Sequence, residues 1–222
     1  MPYRFIPLVT DQYYHIYNRG VAFQPTFENK RDYERFLLCL DYYHHNKVPL
    51  RLSKLLQLPK EDRESILKNI KEHGETIVEI IAYCLMPNHF HLLIKQVSDN
   101  GISTLLRLVT NSYARYYNTK YERVGPVFQG VFKAVHVQTD EQFIHLSRYI
   151  HLNPLVSFIV KEENFLSYPW SSLKNYLNGT KALVNTEPIL DNFSSPKKYL
   201  KFILDQVEYG KELERIKHLT LE

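Results

Sequence analysis

Cysteine is nearly absent from this chain of 222 residues, which contains only Cys39 and Cys84. Two cysteines form neither a disulfide framework nor a thiolate zinc cluster. No apolar run approaches the roughly 18 residues that span a bilayer, and the first residues, MPYRFIPLVTD, lack the apolar core of a secretory signal. The sequence also lacks a GxxxxGK[ST] loop for nucleotide phosphates. We therefore expect a protein of the reducing cytoplasm that does not bind membranes.

The composition is that of a folded protein, because 44% of the residues are hydrophobic and 23% are charged. The length suits one α/β domain with an appendage. A net charge of +4 is compatible with nucleic-acid binding but is also common in cytosolic enzymes. The 17 tyrosines are more unusual, since aromatic rings near basic residues stack on unpaired bases. Most of them are nevertheless expected to pack against neighbouring side chains.

Hydrophobic periodicity predicts the order β-α-(insert)-β-β-α-β-α along the chain. Strands are predicted near 11–21, 75–86, 89–96 and 126–138, and helices near 31–44, 101–122, 139–154 and 196–217. A charged helix in the segment 51–74 is interpreted as a peripheral insert. We predict an α+β fold of ferredoxin-like type, in which helices pack on one side of an antiparallel or mixed sheet. The main domain is expected to cover 1–158, followed by a helical C-terminal extension at 159–222.

The stretch YCLMPNHFHLLIK places His89 and His91 one apolar residue apart in a predicted strand. Side chains at i and i+2 leave the same face of a strand about 7 Å apart, so two imidazoles can reach one metal ion. Phe90 then points into the core. Such a metal keeps coordination positions for phosphate oxygens, but two partly exposed histidines without a metal explain the same spacing. A histidine-triad hydrolase is excluded, because the third alternating position is Leu93.

The segment TDEQFIHLSRYIHLNP places His145, Tyr149 and Asn153 on one helix face, because residues four apart share a face. This spacing fits a tyrosine nucleophile with a metal-assisting amide one turn later, and equally a tyrosine at the edge of the core. A free phenol, with a pKa near 10, is a poor nucleophile. A metal that polarises the target phosphate compensates for this weakness. The histidine pair would therefore hold the metal that the tyrosine needs, and the tyrosine would give that metal a reaction to assist.

Five segments together resemble the REP-associated tyrosine transposases, which are single-strand DNA transposases with a His-hydrophobic-His motif. In chain order they are YHIYNRGV, AYCLMPNHFHLLIK, NSYARYYNTKYERVGPVFQGVFKAVHV, SRYIHLNPL and YPWSSLKNYL. The resemblance covers most of the chain up to about residue 177. It departs from the family pattern at Asn153, where relatives from insertion sequences usually carry Gln. The insert at 51–74 is also longer than in many relatives.

The resemblance implies that His89 and His91 bind a divalent metal, Mg²⁺ or Mn²⁺, with the assistance of Asn153, and that Tyr149 is the nucleophile. It further implies that the protein cleaves and rejoins single-stranded DNA next to hairpin (REP-like) sequences through a 5′-phosphotyrosine intermediate. The cleaved DNA keeps a free 3′-hydroxyl, and no ATP is required. The partner is single-stranded DNA that folds into a hairpin, and the protein acts as a monomer or homodimer.

Basic and polar residues predict DNA contacts, chiefly along the helix 101–122, where they recur every four positions. The full predicted set is Arg107, Asn111, Arg115, Lys120, Arg123, Lys133 and Arg148. An ordinary solvated helix face accounts for the same spacing. Trp170 and Lys174 could face the hairpin, but a single tryptophan is more often a packing anchor. Two other functions stay open. One is a domesticated hairpin-binding protein that no longer cleaves, and the other is a metal-dependent ribonuclease, which needs no phosphotyrosine.

Overall fold

The computed structural model describes residues 7–180 and 183–219. Parts of the two predicted units, namely residues 1–6, 181–182 and 220–222, lie outside the described residues. Within the described ranges four strands form one sheet. They are β1 (Tyr13–Arg19), β2 (Val78–Met86), β3 (His89–Gln96) and β4 (Lys133–His136).

The strand order in the sheet is β2-β3-β1-β4, and every neighbouring pair is antiparallel. β1 occupies an inner position although it comes first in the chain. The connections from β1 to β2 and from β3 to β4 therefore cross over the sheet. This is the split β-α-β arrangement of ferredoxin-like folds. It confirms the predicted α+β class, with an antiparallel rather than a mixed sheet.

Helices follow the strands in the predicted order. The crossovers contain α1 (Lys30–Tyr43), the insert helices α2 (Leu52–Leu55) and α3 (Lys60–His73), and α4 (Gly101–Lys120), and α5 (Asp140–Val156) follows β4. The C-terminal extension contains α6 (Glu162–Phe165), α7 (Leu173–Asn178), α8 (Glu187–Leu190), α9 (Pro196–Leu204) and α10 (Val207–Leu219). The single helix predicted at 196–217 is thus two helices. The break at 205–206 lets Ile203 and Val207 both be buried in the same cluster.

Both faces of the sheet are covered, whereas the sequence predicted helices on one side only. Phe90, Leu92 and Ile94 of β3 belong to a hydrophobic cluster with α1 and α4, called here the α1/α4 cluster. Leu93 of β3 and Cys84 of β2 belong to a second cluster with α5 and the C-terminal extension, the α5 cluster. Since β2 is apolar at nearly every position, both of its faces require burial.

The C-terminal extension pairs with the outer edge of β2. The Ser172 N–H donates to the Tyr83 carbonyl at 3.0 Å, and the Tyr83 N–H donates to Ser172 Oγ at 2.9 Å. The Leu85 N–H donates to the Trp170 carbonyl at 2.9 Å. The indole of Trp170 stacks on Tyr33 of α1, with ring centroids 4.5 Å apart, so Trp170 is a packing anchor. The extension is therefore built into the sheet and its core.

Helix α5 carries the predicted tyrosine and extends further than predicted. The hydroxyl of Thr139 caps its first turn, as the sequence indicates. Pro154 was expected to end the helix, but α5 continues to Val156. Proline removes its own N–H from the helix and crowds the carbonyl four residues earlier, but the Ser157 N–H still reaches the Asn153 carbonyl at 3.0 Å. The last turn is retained because its apolar side chains are buried in the α5 cluster.

A buried carboxylate joins α1 to α4. Asp32 is completely buried and accepts hydrogen bonds from Lys120 Nζ at 2.6 Å, Tyr121 Oη at 2.7 Å and Tyr116 Oη at 2.9 Å. The Glu28 N–H donates to it at 3.0 Å. Burial acts to raise the pKa of Asp32, but these hydrogen bonds outweigh burial and lower the pKa below its usual value. The carboxylate is thus ionised and satisfied.

Asp32→Asn is expected to lower the free energy of unfolding by about 3 kcal/mol, because it removes the charge that Lys120 and two phenols bind in a buried position. Urea denaturation at neutral pH measures this loss. Glu34→Gln on the same helix is the control, since Glu34 forms an exposed pair with Lys30 at 3.6 Å, worth about 0.5 kcal/mol. Equal losses in the two variants would show that the Asp32 cluster does not stabilise the fold.

Candidate active site

The two histidines of β3 lie on the sheet face that α5 covers. Strand alternation directs Phe90 to the α1/α4 cluster and Leu93, which is in phase with the histidines, to the α5 cluster. His91 is 6% exposed and His89 is half-buried. Their rings are perpendicular, with centroids 5.0 Å apart. The predicted pair therefore borders one common space.

A third histidine, which the sequence analysis missed, completes this group. The register of β1 against β3 sets Tyr17 opposite His91, so His15 lies diagonally across from it. His15 Nε2 and His91 Nδ1 are hydrogen-bonded at 2.9 Å, and the two rings are stacked at 5.1 Å. The alternation of Tyr13, His15 and Tyr17 in β1 was the available signal. Only the strand register identifies His15 as a neighbour of the pair.

Hydrogen bonds orient the imidazoles of β3. His89 Nδ1 lies 2.6 Å from Asn88 Oδ1, so Nδ1 carries the proton and Nε2 keeps the lone pair. Metal binding by Nε2 of His91 requires the proton on its Nδ1, in which case His91 donates and His15 Nε2 accepts. Hydrogen bonds of this kind fix the tautomer and the orientation of a ligating histidine.

Burial keeps the imidazoles of His15 and His89 neutral. It lowers the pKa of His15 to about 4. It also lowers the pKa of His89 to about 4, where Glu214 of α10 acts in the opposite direction and Arg19 acts in the same direction. Neutral imidazole is the form that binds metals. At pH 7 His15 and His89 are therefore in the protonation state that metal binding requires.

Helix α5 brings Tyr149 to the histidines. The centroid of its ring is 5.5 Å from that of His91 and 5.9 Å from that of His15, both in edge-on contact. Tyr149 is 43% exposed, so solutes can reach its hydroxyl. Asn153 follows one turn later on the same helix face and is buried. The tyrosine and the histidine pair, far apart in the sequence, thus meet in one site.

Four other tyrosines lie away from this site. They are Tyr113, Tyr116 and Tyr117 of α4 and Tyr121, which directly follows the helix. Helix α4 packs on the opposite face of the sheet. Tyr113 is completely buried, and its hydroxyl donates to the Thr26 carbonyl. Tyr116 and Tyr121 donate to Asp32, and burial raises the pKa of Tyr117 to about 12.

The donors near Tyr149 suit a divalent cation. Within residues 7–180 and 183–219 no group of three or more His, Cys, Asp or Glu is arranged around a metal site. The available donors are the imidazoles of His89 and His91 and the amide of Asn153. Asn153 Nδ2 is buried and has no acceptor in the described part of the chain. The amide turned by half a rotation presents Oδ1 at the same place, and an amide oxygen is a ligand for Mg²⁺ or Mn²⁺.

The predicted DNA-binding residues occupy different places. Four of them line a groove beside α4, namely Arg107, Asn111, Arg115 and Lys120. Arg123 lies near the end of the same surface, with its guanidinium 5.4 Å from the centre of the Tyr117 ring. Lys133 is exposed on β4 and pairs with Tyr17, which places it on the histidine face.

Arg148 lies neither in the groove beside α4 nor on the histidine face of the sheet. Its guanidinium packs over the ring of Phe202 in α9, 4.1 Å from the ring centre, and donates to the Phe202 carbonyl at 3.2 Å. His145, predicted on the ridge of Tyr149, also contacts Arg148 and Phe202. One residue along a helix is a rotation of about 100°, so Arg148 points away from the direction of Tyr149. The predicted DNA contact of Arg148 therefore has no geometric support.

Comparison with protein families identifies the group to which the chain belongs. Residues 42–153, half of the chain, match the family model described as transposase IS200 like. The chain belongs to the IS200-like transposase family. The matched range contains His89, His91, Tyr149 and Asn153, whereas His15 lies outside it. The predicted resemblance to single-strand DNA transposases is confirmed at the level of this family.

Solved structures have the fold of this IS200-like chain. A REP-associated tyrosine transposase bound to a REP hairpin shares 15% sequence identity and superimposes with a TM-score of 0.52. The match covers 88% of this chain and 96% of that chain. At this identity the likeness establishes the fold. No curated protein matches the chain significantly.

Of the helices in the described ranges, none is both long enough and apolar enough to traverse a bilayer.

His15→Ala is expected to weaken Mn²⁺ binding about 10- to 100-fold, because loss of a hydrogen bond that orients a ligand has an effect of this size. Isothermal titration of the protein with Mn²⁺ measures the affinity. His136→Ala is the matched control, since His136 of β4 pairs with Tyr14, whose side chain belongs to the α1/α4 cluster. Wild-type Mn²⁺ affinity in His15→Ala would rule out its orienting role.

The Mn²⁺ affinity is expected to stay nearly constant from about pH 8 to about pH 5 and to fall as the pH approaches 4. An exposed histidine, with a pKa near 6.5, begins to lose metal at a higher pH. Burial lowers the pKa of His15 and His89 to about 4, so protons compete with the metal only below about pH 5. Loss of Mn²⁺ centred near pH 6.5 would contradict this expectation.

Proposed function

We propose that this protein cleaves and rejoins single-stranded DNA next to hairpin (REP-like) sequences, with Tyr149 as the nucleophile. In this proposal His89, His91 and Asn153 hold a divalent metal, Mg²⁺ or Mn²⁺. The observation that carries the proposal is the contact between the rings of Tyr149 and His91, 5.5 Å apart, in a chain of the IS200-like transposase family.

Tyr149 combines access with a defined position. Its exposed fraction of 43% lets a phosphodiester approach the phenolic oxygen. The rings of His15 and His91 contact it edge-on, and its backbone belongs to a helix of 17 residues. Reactive groups on regular, packed elements are held in position more accurately than groups on loops. These features support Tyr149 over Tyr113, Tyr116, Tyr117 and Tyr121, whose hydroxyls are bonded on the opposite face of the sheet.

The metal would be held by Nε2 of His89, by His91 and by Oδ1 of Asn153. When bound, a divalent ion polarises the phosphate and neutralises charge that develops on its oxygens. This action compensates for the weak nucleophilicity of a phenol. Asn88 and His15 would orient the two imidazoles through the hydrogen bonds on their Nδ1 atoms.

In the proposed step the Tyr149 oxygen attacks phosphorus, and the bond from phosphorus to the 3′ oxygen breaks on the opposite side. The phenol loses one proton and the 3′ oxygen gains one. The products are a 5′-phosphotyrosine and a free 3′-hydroxyl. Attack by a 3′-hydroxyl on the phosphotyrosine reverses the exchange and restores the phenol. Bond energy is conserved, so rejoining consumes no nucleotide.

The half of the histidine face that α5 leaves open offers a path for a single strand. Arg19 of β1 and Lys133 and Val135 of β4 are exposed there. The strand register places Tyr17 between Lys133 and His91. An aromatic ring beside basic side chains suits an unpaired base together with its phosphates. We assign the strand to be cut to this surface.

A hairpin partner is supported by the fold relative. The REP-associated tyrosine transposase of similar fold is bound to a REP hairpin. The net charge of +4 and the row of basic residues along α4 fit a polyanionic ligand. Both observations favour hairpin DNA as the substrate of this chain.

Tyr149→Phe is expected to bind hairpin DNA like the wild type but to form no covalent adduct. The change removes only the hydroxyl and keeps the ring that contacts His91 and His15. A labelled oligonucleotide with a hairpin and a single-stranded 5′ extension is incubated with protein and Mn²⁺. The adduct is detected by denaturing electrophoresis and located by mass spectrometry, and DNA binding is measured in parallel.

Tyr209→Phe is the matched control, because it removes the hydroxyl of an exposed tyrosine in α10 and should leave adduct formation unchanged. Undiminished adduct in Tyr149→Phe, mapped to Tyr116 or Tyr117, would show that Tyr149 is not the nucleophile. A wild-type protein that binds hairpins without cutting them would instead be a hairpin-binding protein. Cleavage without any adduct would indicate a metal-dependent nuclease that uses water.

A further inference from the structure

A network of buried hydrogen bonds, called here the His151 network, packs against the active-site helix α5. It begins at the edge of β2, where the Tyr83 N–H donates to Ser172 Oγ at 2.9 Å. Ser172 Oγ lies 2.8 Å from His151 Nε2, and His151 Nδ1 lies 2.8 Å from the Tyr199 hydroxyl. That hydroxyl donates to Ser147 Oγ at 3.0 Å. The network thus connects β2, the C-terminal extension and α5, and none of its members takes part in the proposed chemistry.

The protons of the His151 network are consistent with one arrangement. The Ser147 hydroxyl donates to the Ile144 carbonyl at 2.7 Å, so Ser147 Oγ accepts the proton of Tyr199. The Tyr199 oxygen then accepts from His151 Nδ1, which leaves Nε2 with a lone pair for the Ser172 hydroxyl. A neutral imidazole has one N–H and one lone pair, as these two partners require. Each member therefore donates in one direction and is satisfied.

Burial makes this arrangement restrictive. The side chains of Ser147, His151, Ser172 and Tyr199 are completely buried, so water cannot replace a partner that moves away. A buried polar group that loses its partner costs free energy. A rotation or a slide of α5 that breaks one of these hydrogen bonds is therefore disfavoured. A satisfied buried network specifies one position of the helix more sharply than apolar contacts do.

Apolar packing alone does not set the rotation of the last turns of α5. All seven residues from Ile150 to Val156 are buried, so this part of the helix has no exposed side that would exclude other rotations. Pro154 also removes one backbone N–H from the same turns. Buried polar groups can specify a register where apolar surfaces do not. The His151 network supplies such groups at this place.

The His151 network and the reactive residues occupy opposite sides of α5. Ser147 and His151 are four residues apart and share one side, where the Tyr199 hydroxyl bridges them across one turn. Tyr149 and Asn153 each follow two residues later, a rotation of about 200° around the helix axis. The C-terminal extension thus holds α5 from the side opposite to the one that meets the histidines.

The His151 network also joins three of the segments that carry the resemblance to the transposases. Tyr83 belongs to AYCLMPNHFHLLIK, His151 to SRYIHLNPL and Ser172 to YPWSSLKNYL. The proposed chemistry at Tyr149 gives the segment YPWSSLKNYL no task. Its hydrogen bonds to β2 and to α5 provide one, because they hold the helix that carries the nucleophile.

We propose that His151 is a positioning residue for the reaction at Tyr149. Through Tyr199 and Ser172 it fixes the rotation of α5, and with it the place of the Tyr149 hydroxyl beside the histidines. The C-terminal extension then belongs to the scaffold of the active site, although it contributes no reacting group. The inference rests on the proposed function for the reaction that Tyr149 performs. A displacement of a reacting group by about 1 Å lowers a rate by about 100-fold.

The test compares Tyr199→Phe with Tyr176→Phe in the full-length protein. Each variant removes one buried hydroxyl of the extension and keeps the ring. The hydroxyl of Tyr199 belongs to the network, whereas that of Tyr176 donates to the Ile81 carbonyl of β2 at 2.9 Å. Tyr199→Phe is expected to form the covalent adduct about 10- to 100-fold more slowly at saturating DNA, with hairpin affinity within about twofold of wild type. Tyr176→Phe should match the wild type in both measurements.

Ser172→Ala interrupts the network on the other side of His151 and provides a second test should Tyr199→Phe fold poorly. It should also slow adduct formation at unchanged hairpin affinity. The double variant Tyr199→Phe/Ser172→Ala should lose no more than about the larger single loss, because members of one unit are not additive. Multiplied losses would overturn the proposal. Wild-type adduct formation in either single variant would also overturn it, as would equal slowing in Tyr176→Phe.

A further measurement reports the position of residue 149 without any reaction. Tyr149 is replaced by 3-fluorotyrosine, and its ¹⁹F resonance is recorded in each variant. The ring contacts His91 and His15 edge-on, so a change in its position shifts the resonance. We expect a shift or broadening in Tyr199→Phe and Ser172→Ala but not in Tyr176→Phe. An unchanged resonance in the first two variants would overturn the proposal.

Failure of the proposed function gives a different result, namely wild-type protein that forms no adduct with hairpin DNA. The ¹⁹F comparison does not depend on cleavage. It would then still decide whether the His151 network positions residue 149.

Discussion

The antiparallel pairing of β1 with β3 is the constraint on which the site depends. It sets Tyr17 opposite His91 and brings His15 within hydrogen-bond distance of the same histidine. A slip of one residue would send every side chain of β1 to the other face of the sheet. Burial of Phe90 in the α1/α4 cluster and of Leu93 in the α5 cluster fixes which face of β3 each side chain occupies. The apolar residues between and beside the imidazoles therefore determine which face of the sheet the imidazoles occupy.

The sheet also separates the candidate active site from the groove beside α4. One face presents Tyr149 and the histidines, and the other supports α1 and α4, whose outer surfaces form this groove. Asp32 belongs to the second face, where it ties α1 to α4 and neutralises Lys120 beneath the groove. Its negative charge is buried and satisfied, so it strengthens the scaffold and leaves the neighbouring arginines available for anions.

Much of this organisation was predictable from local patterns, and the rest depended on contacts between distant segments. Alternation along a strand predicts that His89 and His91 share a face, and i+4 spacing predicts the same of Tyr149 and Asn153. The α+β class follows from the order of the two periodicities. His15 was missed because only a strand register relates it to the pair. The second helical layer was missed for the same reason, since tertiary packing sets it.

The C-terminal extension affects how the molecule meets other copies of itself. A sheet edge with free N–H and C=O groups is a template for pairing with another chain. At the β2 edge, Ser172 and Trp170 of the same molecule form hydrogen bonds with these N–H and C=O groups. The opposite edge, β4, has only four residues and carries the exposed Lys133, and short, charged edges resist this pairing. Sheet-mediated self-association is thus restricted at both ends, and the surface around Tyr149 stays accessible to DNA.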